Sequence, residues 1–197
     1  IAVERWPHAE VLYCDTLKHE HPDNRRFLAD VERWIGRPIK LLRSKRYSDI
    51  YDVFRSTGWL VGPKGARCTT ELKRKVRQRY QRPGDLQVFG YTYDEQQRAD
   101  DFEERNDGEF SWVLIEERIT KDECYHILQA AGIELPAMYR LGYNNNNCIG
   151  CVKGGVAYWN NIRIDFLEDF ARMAALEREM GVTICEDRTN NQRHGVY

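Results

Sequence analysis

At 197 residues, 42% of them hydrophobic, with lysine plus arginine (30) balanced by aspartate plus glutamate (31), the chain is long enough to bury one core without staples. The balance excludes a partner chosen by net charge, and the lack of any apolar run of about 18 residues excludes a membrane-spanning helix. Six unevenly spaced cysteines and no signal peptide exclude a secreted disulfide framework and point to metal or redox chemistry in a soluble, cytoplasmic protein.

Ile1 to Trp6 reads as the tail of a helix stopped by Pro7. The apolar run Ala9 to Cys14 then reads as a strand with Asp15-Thr16 at its carboxyl end, where open parallel sheets bind ligands; Asp15 would otherwise only cap the next turn. Asp23 opens a helix with Phe27, Leu28, Val31, Trp34 and Ile35 on one face, ended by Gly36. Pro38 to Leu42 is a second strand, and Ser48 or Asp49 caps a helix carrying Ile50, Val53 and Phe54, closed by Gly58. Strand, helix, strand, helix predicts a parallel α/β sheet.

A glycine-bearing loop, Gly62 to Thr70, leads into a helix predicted over about 70–81. Lys64, Arg67, Lys73, Arg74, Lys75, Arg77, Arg79 and Arg82 surround it against one acid, Glu71. Such a run is either a solvated face or an anion site for phosphate or nucleic acid. Leu86 to Gly90 is a third strand, where Gly90 lets a ligand approach the backbone. Glu95 and Arg98 follow, three apart on one helical face, and either pair with each other or border a site.

Ser111 to Ile115 is a fourth predicted strand, and Thr120-Lys-Asp-Glu123 is a capping box opening a helix in which Cys124 fills the apolar face. Asn144 to Gly155 carries Cys148-Ile-Gly-Cys151, a pair whose sulfurs can converge on one metal because Gly150 permits a tight turn; free thiols or a disulfide closing the loop are the other reading. Val156 to Ile164 continues helically, and Asp165 restarts a helix burying Phe166, Phe170, Met173, Leu176 and Met180. Residues 186–197 form a polar, loosely held tail.

Asp15-Thr16, then Arg67-Cys68-Thr69-Thr70 with Lys73, then Gly90 to Arg98, then Cys148-Ile-Gly-Cys151-Val-Lys-Gly and Tyr158-Trp159-Asn-Asn-Ile-Arg163 succeed one another in fixed order. That order resembles the phosphoadenosine phosphosulfate (PAPS) reductase family of adenine-nucleotide α-hydrolase-like proteins, closest to its phage and bacterial reductase-like branch. The resemblance implies a doubly wound, mostly parallel α/β sheet, with residues 1–135 as nucleotide-binding domain and 136–197 as cysteine loop and C-terminal helices packed on it. It places Asp15 and Thr16 near adenosine, Arg67 and Lys73 near phosphate or sulfate, and Gly90, Glu95 and Arg98 at the same cleft.

The resemblance further implies an enzyme of sulfur metabolism or sulfur transfer using ATP, PAPS or adenosine phosphosulfate. A [4Fe-4S] cluster, or zinc in its place, would be held by Cys68, Cys148 and Cys151, with Cys185, Cys124 or no residue as fourth ligand. Expected partners are a nucleic acid or a sulfur donor, with a homodimer as the oligomeric expectation and no membrane. Two departures stand out: the Ser-Gly-Gly-x-Asp-Ser phosphate loop, expected before Ile1, is missing, so that either the chain is truncated, as the non-methionine start favours, or it does not bind ATP in the usual way; and the reductase Glu-Cys-Gly-x-His motif is absent. Against the enzyme stand a non-catalytic nucleotide or nucleic-acid module and a zinc-stabilised scaffold.

Overall fold

A computed structural model of the chain describes residues 1–62, 65–187 and 194–195. The fold is mixed α/β, built from short elements. In chain order they are α1 (Ala2–Arg5), β1 (Val11–Cys14), α2 (Asn24–Ile35), β2 (Ile39–Leu42), α3 (Ile50–Thr57), β3 (Val61–Gly62) and β4 (Gly65–Ala66). A π-helical stretch, Thr69–Arg74, runs into α4 (Lys75–Tyr80), followed by β5 (Leu86–Val88), α5 (Gln96–Glu103), β6 (Glu109–Ser111) and α6 (Val113–Glu116). Then come α7 (Lys121–Ala130), α8 (Ala137–Arg140), α9 (Val156–Asp165), α10 (Leu167–Met180), β7 (Glu186–Asp187) and β8 (His194–Gly195). Most of the polar tail, and Pro63 and Lys64 of the glycine-bearing loop, lie outside the described residues. No described helix is long and apolar enough to cross a membrane.

Local signals set most boundaries. The Asp49 carboxylate accepts the Asp52 N–H at 2.9 Å to cap α3, and Gly58 ends it in the left-handed region at φ 63°. Thr120 and Glu123 form the reciprocal box that opens α7. The predicted fourth strand is displaced: β6 stops at Ser111 and the chain turns into α6. The cause is Glu116, whose carboxylate accepts both the Ser111 hydroxyl (2.7 Å) and the Trp112 N–H (3.2 Å), so the backbone closes into a turn instead of extending. Phe166, at φ −139° and ψ 59°, breaks the helical run between α9 and α10. Among the described residues the strands pair two by two: β1 with β2, β3 with β4, β5 with β6 in parallel and β7 with β8.

Two compact units form. One comprises Ile1–Leu12, Arg26–Lys40 and Tyr80–Leu135. Its interior holds an aromatic group in which Phe89 and Tyr91 stack on Trp112 at 5.3 and 5.0 Å, with Phe102 edge-on to Trp112 at 5.6 Å. Trp34, on the apolar face predicted for α2, is 49% exposed. Cys124 is half-buried on α7, a helix without a fully buried residue.

The second unit comprises Tyr13–Arg25, Leu41–Arg79 and Pro136–Tyr197, so the cysteine loop shares a body with the ends of β1 and β2 and with the basic segment. Its core joins Val53 and Phe54 of α3, Met138 of α8, Trp159 and Ile162 of α9, and Met173 and Leu176 of α10. Phe166, Phe170 and Met180 pack against that core from partly buried positions.

Candidate functional site

The cysteine loop is pinned from three sides within the second unit. Gly150 takes φ +73°, and an added Cβ there would lie 3.3 Å from the Trp159 ring. The Tyr158 hydroxyl accepts the Cys151 N–H and donates to the Cys148 carbonyl, both at 3.0 Å. The Ile149 N–H donates to the His19 carbonyl at 2.7 Å, tying the loop to the turn after β1. Gly154 leaves room for Tyr158, since a Cβ would come within 2.0 Å of that ring.

These constraints bring Cys148 and Cys151 into electrostatic range of Cys68, which lies at the start of the π-helical stretch. All six cysteines are free thiols. Burial pushes the Cys148 thiol up to about 12; Lys73 opposes the rise, while Glu20, Cys151 and Cys68 add to it. Burial also raises Cys68, assisted by Cys151 and opposed by the Thr69 N–H, Lys73 and Lys153. Among the described residues, no group of three or more His, Cys, Asp or Glu side chains is arranged to hold a metal ion.

Cys185 is buried beside the loop, its thiol donating to the Gly154 carbonyl at 3.3 Å. Its approach depends on Glu177 of α10, a buried carboxylate that accepts the Ile184 N–H. Burial raises the Glu177 pKa, so its stabilising contribution is fully present below the usual carboxylate range and is lost as pH rises through the raised value. Glu177→Gln keeps an acceptor for Ile184 without a charge. It is expected to flatten the fall in urea midpoint as pH rises above the usual carboxylate range. An unchanged pH profile would show that this carboxyl does not titrate in that window.

Asp15 and Thr16 line a cavity of about 390 Å³ where β1 and β2 both end. Asp15 does two jobs: it accepts the Leu17 N–H at 3.1 Å, capping the turn, and pairs with Arg43 at 2.7 Å. Thr16 is buried and donates to Glu20 at 2.5 Å. Glu20, 6% exposed, also accepts from Tyr13 (2.5 Å) and Asn24 (2.7 Å), so one carboxylate links the cavity wall to the surroundings of Cys148. A second cavity of about 490 Å³ shares Lys18, His19, Ser48 and Asp49 with the first. Burial lowers the His19 pKa, favouring the neutral imidazole.

The other candidates fall elsewhere. Arg67 pairs with buried Glu71 at 3.1 Å, as Lys75 does at 2.8 Å, so both serve the local helix. Lys73 instead stays exposed, within range of Cys14, Cys68 and Cys148. Gly90, Glu95 and Arg98 belong to the first unit. There Glu95 boxes with Thr92 and pairs with Arg98, whose guanidinium lies 4.3 Å over the Tyr91 ring. The sequence reading missed Lys18, Glu20, Arg25 and Arg43; the position of Arg43 directly after β2 was the available signal, by the rule that assigned Asp15.

Comparison with protein-family models, curated proteins and solved structures found no match to this chain.

Proposed function

We propose that the chain is an adenine-nucleotide-binding enzyme of sulfur transfer or sulfonucleotide metabolism, similar to the PAPS reductase family, with a [4Fe-4S] cluster on Cys68, Cys148 and Cys151. The observation that carries this reading is that Cys148 and Cys151 lie within electrostatic range of Cys68, eighty residues earlier in the chain, with Lys73 in range of Cys68 and Cys148. The parallel pairing of β5 with β6 supports the doubly wound sheet that the resemblance implies.

The donor set fits the cluster in kind: soft thiols for iron or zinc, with Lys73 and Lys153 nearby to offset thiolate charge. Ligation requires the loop to close around the metal, a movement for which the exposed Gly155 at its end leaves room. Bound there, the cluster would supply an electron-transferring, Lewis-acidic iron. The chain's own residues do the rest. Asp15 presents a carboxylate oriented by Arg43 and the Leu17 N–H, suited to ligand hydroxyl or amino donors, and Arg25 offers a cation for phosphate.

Anaerobic purification followed by iron, acid-labile sulfide and zinc analysis tests the metal, and calorimetric titration with AMP and ATP tests the nucleotide. Iron and sulfide in equal amounts, with saturable nucleotide binding, is the expected result. Stoichiometric zinc without iron would overturn the cluster, and no heat with either nucleotide would overturn the enzyme reading.

A further inference from the structure

The cavity of about 490 Å³ is used neither by the thiols nor by Asp15, and its eight lining residues all belong to the second unit. Most of its charge is already answered. Lys18 pairs with Asp49 at 2.5 Å, Asp49 also caps α3, and Glu179 holds Arg55 through three hydrogen bonds of 2.9, 3.0 and 3.2 Å. Two charged groups of the lining keep capacity for a ligand. Asp52 accepts the Ser48 N–H (2.9 Å), the Ser48 hydroxyl (3.3 Å) and the Ser56 hydroxyl (3.1 Å), and among the described residues no cation pairs with it. The Ser48 N–H holds its carboxyl below the usual carboxylate range, so the group is charged at neutral pH. Arg172 makes one bond to Asp169, from Nη1 at 3.3 Å, which leaves the rest of the guanidinium fork open beside the Tyr51 ring, 5.9 Å away.

One open anion and one open cation on the same small cavity suit a ligand that carries both charges. A phosphate or a dicarboxylate would answer Arg172 but sit against Asp49 and Asp52, and a polyamine would answer Asp52 but meet Lys18, Arg55 and Arg172. The His19 and Tyr51 rings, edge-on to each other at 5.4 Å, give the lining an apolar part for a side chain. The volume lies within the range of small-molecule sites, and among small zwitterions an α-amino acid brings a carboxylate that matches a guanidinium fork.

We infer that this cavity binds a free α-amino acid, its carboxylate on Arg172 and its ammonium group on Asp52. Lys18, His19, Ser48 and Asp49 also line the neighbouring 390 Å³ cavity, so the amino acid lies against a wall of the proposed nucleotide site, where a second reactant belongs. Its binding depends on neither the nucleotide nor the cluster.

Thermal-shift measurement of the full chain with each of the protein amino acids at about 10 mM selects the ligand by the rise in unfolding midpoint. Calorimetry then compares that amino acid with its amide, its N-acetyl derivative, inorganic phosphate and putrescine. The amide and the N-acetyl derivative each lack one charge and should bind at least about tenfold more weakly, the loss expected when a charge-assisted hydrogen bond goes. Arg172→Gln and Asp52→Asn should each weaken the amino acid by at least about tenfold as well. Arg172→Gln should leave the amide within about twofold of its parental affinity, and Asp52→Asn the N-acetyl derivative, because in each case the partner of the altered side chain is already missing. The analogues read the same two contacts on the parental protein, so the test does not hang on either variant folding.

The inference is overturned if no amino acid raises the midpoint, if phosphate or putrescine binds more tightly than the selected amino acid, or if the amide and the N-acetyl derivative bind as well as it does. Parental affinity in either folded variant would overturn it too, by removing an assigned contact. The AMP titration reports on the neighbouring cavity through other side chains, so the nucleotide reading stands or falls separately.

Discussion

Replacing Cys148 with serine is expected to cut iron retention at least about 100-fold, more than the loss typical when a group merely supporting a metal ligand is removed. Cys148 has the central place: its thiol senses Cys68, Cys151, Lys73 and Glu20 together. An alkoxide does not replace a thiolate at a soft metal, so the substitution removes a donor rather than weakening one. Cys14→Ser is the internal comparison. Its thiol donates to the Lys73 carbonyl at 3.6 Å and is not among the assigned ligands, so iron should stay within twofold of the parent. Cys185→Ser should fall between them, since a serine hydroxyl can keep the bond to the Gly154 carbonyl that orders the end of the loop. Iron per chain after anaerobic desalting reads all three. A Cys148→Ser protein holding parental iron would sink the assignment of these thiols as ligands.

What the sequence disclosed, and what it withheld, follow from how far each determinant reaches. Asp49, Gly58, Gly36, and Thr120 with Glu123 act within one turn of themselves, and each does in the structure what its residue type predicts. Gly150 behaves likewise, as the left-handed turn between the two cysteines. The strand expected at 111–115 failed on a local signal that was overlooked, because Glu116 reaches back to Ser111 and Trp112. Arg67 shows the same lesson in a basic run: an acid four residues on, Glu71, consumes its charge.

Glu20 is different in kind. Its burial is tolerable only because Tyr13, Thr16 and Asn24 converge on it, and no spacing rule names three donors for one carboxylate. The cavity wall at Arg25, Tyr47 and Leu72 was equally illegible, since three segments separated along the chain meet there. Glu95 and Arg98 were placed at a site by their position after a strand and at the nucleotide cleft by resemblance, and their observed partners are Thr92, Tyr91 and each other.

The largest stability effect is expected at Trp159. The side chain is 1% exposed and packs edge-on against Tyr158 at 5.7 Å and Phe170 at 6.3 Å, with the Gly150 turn lying close behind its ring. Trp159→Ala deletes an indole from a close-packed interior, which costs about 3–5 kcal/mol when the walls cannot collapse. Collapse is hard here. Gly150 is held at positive φ by its place in the turn, and Tyr158 is held by two hydrogen bonds to the loop, so neither can swing into the space without giving up those bonds. The thermal midpoint should therefore fall by roughly 10 °C or more. Trp159→Phe keeps an aromatic wall and should lose less than half as much. The functional consequence separates this site from an ordinary core position: with the ring gone the turn loses its backing, and Cys148 and Cys151 should alkylate faster than Cys14 in the still-folded variant. A midpoint within about 2 °C of the parent, or alkylation that rises equally at all three thiols, would mean that Trp159 does not brace the loop and that Tyr158 and the Ile149 bond to His19 suffice to hold it.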